Sequence, residues 1–339
     1  MVKAAINGFG RIGRTTLRVW LGRPDLQSQL EIVAINTSGS MPISGWAHLL
    51  KYDTAYGCLD SLVSTEGDNL VIAPKHSIPV LAQKDPAQIP WNQYGVEVVI
   101  EATGVFRDAQ TASLHLKSGA KKVIISAPGK GEGIGTYVLG ANKYQGQEDI
   151  IDNASCTTNC IAPVVAILQD QFGIAKAAMT TIHSYTDDQN LQDGSHKDLR
   201  RARSAAQNII PTSTGAARAT TKAIPKLSGL FDGISLRVPT ITGSISDITC
   251  LVKQKTTVEA VNQAFKKATD NPVWKNIVAV TSEPLVSSDI IGRPESAIID
   301  LSLTQVIDGD LVKVFAWYDN EWGYCNRLLE QAINAGKTI

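Results

Sequence analysis

The feature that most constrains this chain is a glycine turn close to its start. Residues 7–13 read N-G-F-G-R-I-G and carry Gly8, Gly10 and Gly13 in G-x-G-x-x-G spacing. Three glycines at those offsets occur in many chains, so the flanking pattern decides. A strand-like run, Lys3–Asn7, leads in, and a helical pattern, Ile12–Leu21, leads out. In such a strand–turn–helix unit the first glycine makes the tight turn. The second lets backbone approach a pyrophosphate, and the third lets helix pack on strand. The helix start supplies N–H groups and the positive end of its dipole to an anion. A dinucleotide loop is the reading this context supports over an ordinary turn.

The same alternation continues. Glu31–Asn36, Val96–Glu101 and Lys121–Ser126 are further apolar runs separated by amphipathic stretches, the signature of parallel strands with helical crossovers. Beyond residue 155 the pattern changes. Ile161, Val164, Val165 and Leu168 fall at helical spacing, with Pro163 inside, where a kink or a broken hydrogen bond is expected. Longer strand-like runs follow at Ala177–Ser184, Ile234–Val238, Ser246–Lys253 and Leu311–Trp317, with an irregular polar stretch at 184–208. A closing helix is expected over Gly323–Ala335. The expected fold class is α/β: a Rossmann-like parallel-sheet domain over 1–155 plus 319–339, and an α+β domain over 156–318 containing a mixed sheet.

Composition narrows the function classes. Lys plus Arg and Asp plus Glu each number 32 in 339 residues, so no basic excess is available to neutralise nucleic-acid phosphates. No apolar run reaches the roughly 18 residues that span a bilayer. The first residues show no signal- or transit-peptide pattern, and five cysteines do not suggest a disulfide framework. A cytoplasmic enzyme or binding protein is expected, with neither nucleic acid nor membrane as partner.

At the end of the second expected strand, where an acid commonly holds the ribose 2′-hydroxyl, the chain reads Asn36-Thr37-Ser38. A carboxylate there would repel a 2′-phosphate, whereas short hydroxyls admit one and can donate to it. This points to NADP, or to both NADP and NAD, rather than to NAD alone.

Residues 153–160 read N-A-S-C-T-T-N-C and place Cys156 at the start of the expected helix. A helix N-terminus favours thiolate. His183, on the next expected strand, is the candidate base for that thiol. Cys160 would share a helix face with Cys156, where a disulfide or a metal is conceivable, but no second ligand pair supports a metal site.

The chain resembles the phosphorylating glyceraldehyde-3-phosphate dehydrogenases over nearly its whole length. The shared runs are A-I-N-G-F-G-R-I-G at 5–13, L-K-Y-D-T at 50–54, S-C-T-T-N-C at 155–160 and H-S-Y-T-D-D-Q at 183–189. They continue with I-I-P-T-S-T-G-A-A at 209–217, L-R-V-P-T at 236–240 and W-Y-D-N-E-W-G-Y at 317–324. The resemblance implies Cys156 as nucleophile and His183 as its base. It implies glyceraldehyde 3-phosphate and inorganic phosphate as substrates, and a homotetramer.

Carried over by position, Thr186 and Arg237 would hold the substrate phosphate with Asp188 orienting them. Ser155, Thr157, Thr214 and Gly215 would hold the attacking phosphate. Arg200 would help, with Arg201 and Arg203 as rivals in D-L-R-R-A-R. For the cofactor, Arg11 and Ile12 would meet the pyrophosphate, Asn320 the carboxamide and Tyr324 the nicotinamide. Thr103 and Ser126 would line its path, and Lys84, where many members carry Arg, would lie near the adenine. The 194–195 pair, Gly194-Ser195, replaces the leucine-proline common in NAD-preferring bacterial members, and in the family tetramer Ser195 would reach a 2′-phosphate. An erythrose-4-phosphate dehydrogenase is the nearest rival, although Thr186 and Asp188 favour the triose phosphate. A nucleotide-binding redox sensor or scaffold is the non-enzyme alternative.

Overall fold

The computed structural model describes the whole chain, Met1–Ile339, as two compact units. The first comprises Met1–Tyr137, Tyr144–Ala154 and Cys325–Ile339; the second comprises Val138–Lys143 and Ser155–Tyr324. The return to the first unit thus comes at Cys325 rather than 319. The reason is local: Thr242 donates to Asp319 Oδ1 at 2.9 Å and Ser244 donates to Asn320 Oδ1 at 2.8 Å, tying that stretch to the second unit.

In the first unit Val2–Asn7 is the central strand, paired in parallel with Leu30–Asn36 on one side and Val98–Glu101 on the other. Lys122–Ile125, Ile150–Asp152 and Gly135–Thr136 extend the sheet beyond Val98–Glu101, all in parallel. Val98–Glu101 and Lys122–Ile125 are buried along their whole lengths, as strands covered on both faces must be. Their Val and Ile runs, without alternation, reflect this. On the other side His76–Leu81 pairs in parallel with Leu30–Asn36 and then turns into the antiparallel strands Asn69–Ile72 and Val63–Glu66. This meander did not stand out in the sequence, because its strands are short and half exposed.

In the second unit seven strands lie in the spatial order 210–213, 231–238, 174–184, 244–252, 311–318, 297–300 and 278–281, with Gln305–Ile307 pairing beside Leu311–Tyr318. Two pairings are parallel, Ile174–Ser184 with Phe231–Val238 and Val278–Thr281 with Ala297–Asp300; the rest are antiparallel, so the sheet is mixed. The helix Cys156–Phe172 packs on this sheet and buries Cys160, Ile161, Val164, Val165 and Leu168 completely. The helix runs unbroken through Pro163, which is wholly encased there. Tertiary burial thus carries the turn in which proline removes one ladder bond.

Candidate active site and cofactor cleft

In the first unit the glycine turn shapes a cleft of about 400 Å³. Gly8 adopts φ +96°, and a Cβ there would lie 2.7 Å from the Thr103 nitrogen. At Gly13 a Cβ would lie 2.1 Å from the Gly8 carbonyl oxygen, so only glycine lets helix and strand come this close. The helix Arg11–Leu21 starts with no side chain capping it, and a Cβ on Gly10 would meet nothing within 4 Å. An uncapped helix start opening on free space is what a pyrophosphate needs, so the residues present fit a dinucleotide.

Of the residues expected at the cofactor, Gly8, Gly10, Asn36, Thr37, Ser38, Lys84 and Thr103 line this cleft. Phe9, Trp46, Gln83 and Phe106 join them. Ile12 and Gly13 lie in the first turn of the helix behind it. The Arg11 guanidinium is committed to an ion pair with Asp53 and sits over the Tyr56 ring at 5.2 Å. Its charge is thus already engaged within the protein. Ser126 ends the strand Lys122–Ile125, its N–H donating to Glu101 O at 2.9 Å.

The Thr37 hydroxyl corrects the expectation that it would donate to a 2′-phosphate. It is buried and donates to the Leu81 carbonyl at 3.1 Å, while accepting from the Gly39 N–H at 3.3 Å. The exposed hydroxyls at this turn are those of Ser38 and Ser40, 2.9 Å apart.

In the second unit Ser155 caps the helix Cys156–Phe172, its hydroxyl accepting from Thr158 N–H at 3.1 Å. Cys156 is the first helical residue, and its Sγ lies 3.3 Å from His183 Nε2. His183 Nδ1 lies 2.6 Å from the Ser184 carbonyl oxygen, which only accepts, and 3.2 Å from Arg237 Nη1, which only donates; the shorter contact puts the proton on Nδ1 and leaves the Nε2 lone pair to the thiol. The Tyr318 ring stands edge-on to the imidazole at 6.0 Å between centroids. Its hydroxyl is pinned by Thr157 at 3.0 Å and Thr181 at 2.8 Å.

Strand register supplies the neighbouring charges. His183 pairs directly with Arg237 across the parallel strands. Arg237 Nη1 donates to Thr186 Oγ1 at 2.7 Å, and Thr186 donates in turn to Asp188. Arg201 completes the group: it pairs with Asp188, and its Nε donates to Thr212 Oγ1 at 2.9 Å. Arg200, the arginine favoured from sequence, is exposed on the adjoining loop, and Arg203 pairs with Asp193 instead. Within D-L-R-R-A-R it is thus Arg201 that joins the Arg237–Thr186–Asp188 group, a placement only the fold reveals. Thr214 Oγ1 accepts from Ala216 N–H at 3.1 Å, and Gly215 caps the helix Ala216–Ala223 beside open space. Asn320 and Tyr324 belong to the second unit, where Tyr324 is buried. Ser195 is exposed on the irregular stretch, its carbonyl accepting from Asn190 at 3.4 Å.

The electrostatics correct one further expectation. Burial pushes the Cys156 thiol up from its ordinary value, and Arg237, the Thr157 hydroxyl and the helix N–H groups only partly offset this. Burial first, and Arg237 second, push His183 down to about 3. Both shifts favour the uncharged thiol and imidazole over the thiolate–imidazolium pair. Burial opposes ionisation of Asp188, but Thr186, Arg237 and Arg201 outweigh it and hold that carboxyl below the usual range. No group of three or more His, Cys, Asp or Glu side chains forms a metal cage, and no helix is long and apolar enough to cross a membrane.

A glycine-turn dinucleotide domain and a thiol–imidazole pair beside paired arginines together define an oxidoreductase that works through a cysteine. Comparison with known proteins agrees. Residues 2–109 match the family described as glyceraldehyde 3-phosphate dehydrogenase, NAD binding domain, and residues 155–320 match its C-terminal domain. The chain is 51% identical over 333 residues to the chloroplastic glyceraldehyde-3-phosphate dehydrogenase A of Zea mays, covering 98% of this chain and 81% of that one. It is 50% identical to glyceraldehyde-3-phosphate dehydrogenase 2 of Synechocystis sp., covering 98% of each. With the glyceraldehyde-3-phosphate dehydrogenase of Mycobacterium tuberculosis it shares 51% identity, covering 100% of this chain and 99% of that one. The chain belongs to the glyceraldehyde-3-phosphate dehydrogenase family.

Proposed function

We propose that this enzyme oxidises and phosphorylates D-glyceraldehyde 3-phosphate to 1,3-bisphosphoglycerate, reversibly, with NADP or NAD as hydride acceptor. The observation that carries this reading is Cys156 Sγ at 3.3 Å from the unprotonated nitrogen of His183.

Cys156 gives its proton to His183 Nε2 as sulfur bonds to the aldehyde carbon. The resulting imidazolium then donates to the new oxyanion. That transfer gives a neutral thiohemiacetal. His183 Nε2 takes the hydroxyl proton back as the carbon is oxidised to a thioester. The dinucleotide, when bound, supplies the acceptor for the departing hydride. Phosphate oxygen next attacks the thioester carbon, the C–S bond breaks, and Cys156 is regenerated. A covalent thioester keeps the oxidation energy from being lost to water.

Arg237 and Thr186 would hold the C3 phosphate of the substrate, with Asp188 and Arg201 fixing their orientation. Ser155, Thr157, Thr214 and Gly215 are assigned to the attacking phosphate. Asn320 and Tyr324 are assigned to the nicotinamide, and Arg11, Ile12, Ser126 and Lys84 to the rest of the cofactor. Acceptance of NADP rests on the absence of a carboxylate at Asn36-Thr37-Ser38, on the exposed Ser38 hydroxyl, and on Ser195 in a tetramer. A homotetramer working in the cytoplasm completes the reading. Steady-state assays with both dinucleotides, with glyceraldehyde 3-phosphate and erythrose 4-phosphate, and with and without phosphate test it. The expected outcome is phosphate-dependent reduction of NADP with the triose phosphate as the better substrate. Greater efficiency on the four-carbon sugar would overturn the assignment.

A further inference from the structure

The first unit contains a buried polar chain that begins far behind the cleft and ends in its walls. Trp91 and His115 are fully buried, Glu101 is 1% exposed, Asn7 1% and Asn36 3%. Trp91 Nε1, which only donates, lies 3.0 Å from His115 Nδ1. That nitrogen must therefore be the acceptor, so Nε2 carries the proton and donates to Glu101 Oε2 at 3.0 Å. The ring thus offers an acceptor to Trp91 and a donor to Glu101, whose carboxyl is surrounded by donors.

Each carboxylate oxygen governs a different wall. Oε1 accepts the Thr103 N–H at 2.8 Å and also the Thr103 hydroxyl. Oε2 accepts Asn7 Nδ2 at 2.5 Å. With its NH₂ turned to Glu101, Asn7 presents Oδ1 to Asn36 Nδ2 at 2.7 Å. Asn36 then grips the Gln83 backbone from both sides, accepting its N–H and donating to its carbonyl, each at 2.9 Å. Thr103, Asn7, Asn36 and Gln83 all line the cleft.

We infer that Glu101 is the positioning residue of the dinucleotide cleft. Its two oxygens set the Thr103 wall and the Asn7–Asn36–Gln83 wall from one point, and His115 holds it from behind. This inference rests on the assignment of the cleft to a dinucleotide. A half-satisfied network in a buried site is worse than none, so the relay works as a unit. Glu101→Gln is the sharp perturbation. Its amide NH₂ cannot accept, so in either orientation one wall faces a donor with no acceptor.

The test is the Kd of NADP and of NAD by calorimetry on the cofactor-free whole protein, alongside thermal melting and kcat at saturating cofactor. Glu101→Gln is expected to raise Kd for both by about tenfold, the effect of an unmet buried hydrogen bond. The apo protein should still melt in one transition, and kcat should stay within about threefold. His115→Gln keeps an N–H for Glu101 and should sit within about threefold of wild type, whereas His115→Phe should approach Glu101→Gln. This pair carries the test if Glu101→Gln does not fold. A double-mutant cycle with Asn36→Ala separates relay from general loosening. The double variant should be scarcely weaker than the worse single. A Kd for Glu101→Gln within about twofold of wild type, equal effects of the two His115 variants, or additive effects in the cycle would overturn the inference. If wild-type protein binds neither dinucleotide, the cofactor assignment and the relay fall together. If wild type binds and Glu101→Gln binds equally well, only the relay falls.

Discussion

The cofactor cleft and the thiol–imidazole pair are built by different means. The glycine turn of the cleft is built from seven consecutive residues: a strand end, two glycines that admit no side chain, and an uncapped helix start. The reacting pair depends on register. Cys156 comes from a helix start and His183 from a strand. Arg237 is set beside His183 by parallel pairing, and Arg201 comes from an irregular stretch. A turn made of local backbone shape is most sensitive at its own glycines. A site made of tertiary register depends on side chains whose loss leaves the fold intact.

That contrast orders the expected effects. Cys156→Ala should lower turnover by about 10⁴-fold or more while leaving the Kd of NADP unchanged. Retained turnover would break the claim that the second unit holds the nucleophile. His183→Asn should lower turnover by about 10²- to 10⁴-fold.

The same His183 variant should also change acid stability. The folded imidazole sits near 3, well below its ordinary 6.5, so the unfolded chain takes up its proton first as pH falls. The stability tied to the neutral ring is fully present above about 6.5 and is lost on the way down towards 3. Urea unfolding between those pH values should therefore show a shallower pH dependence in His183→Asn than in wild type.

Gly8→Ala forces a side chain into a φ of +96° and against the Thr103 nitrogen. It should cost about 1–3 kcal/mol and weaken dinucleotide binding at least tenfold, yet leave the rate of Cys156 alkylation by iodoacetamide unchanged. Coupled loss of both would show that the two sites are not separable. Cofactor-preference variants come next. Thr37→Asp should reduce kcat/KM for NADP about tenfold relative to NAD, through repulsion of the 2′-phosphate by a new carboxylate. Because the Thr37 hydroxyl is already spent on Leu81, Thr37→Val should change the NADP/NAD ratio very little; Ser38→Ala should change it more.

Legibility in the sequence follows the same division. Gly8, Gly10 and Gly13 announced their roles because the physics is local and the flanking strand and helix are in sequence contact with it. The strands Val2–Asn7, Leu30–Asn36 and Leu311–Tyr318 were legible from apolar runs to within a residue or two. The antiparallel strands at 63–66 and 69–72 were not, because alternation over four residues is too short to register. At the reacting site, family motifs pointed to Cys156 and His183. Nothing in D-L-R-R-A-R distinguishes Arg201 from Arg200, because the choice is made by Asp188 and Thr212, thirteen residues before and eleven residues after Arg201. A helix start favours thiolate, whereas burial of Cys156 works the other way and is set by the tertiary fold. Glu101 gave no signal at all, since a lone acid closing an apolar strand reads as its exposed end.

The central claim is tested most directly by mass spectrometry of the intact protein mixed with glyceraldehyde 3-phosphate and NADP, without phosphate, then digested. The account expects one phosphoglyceroyl adduct, on Cys156, that is discharged on adding inorganic phosphate. An adduct on Cys58, Cys160, Cys250 or Cys325, or reduction of NADP with no acyl-enzyme at all, would contradict it.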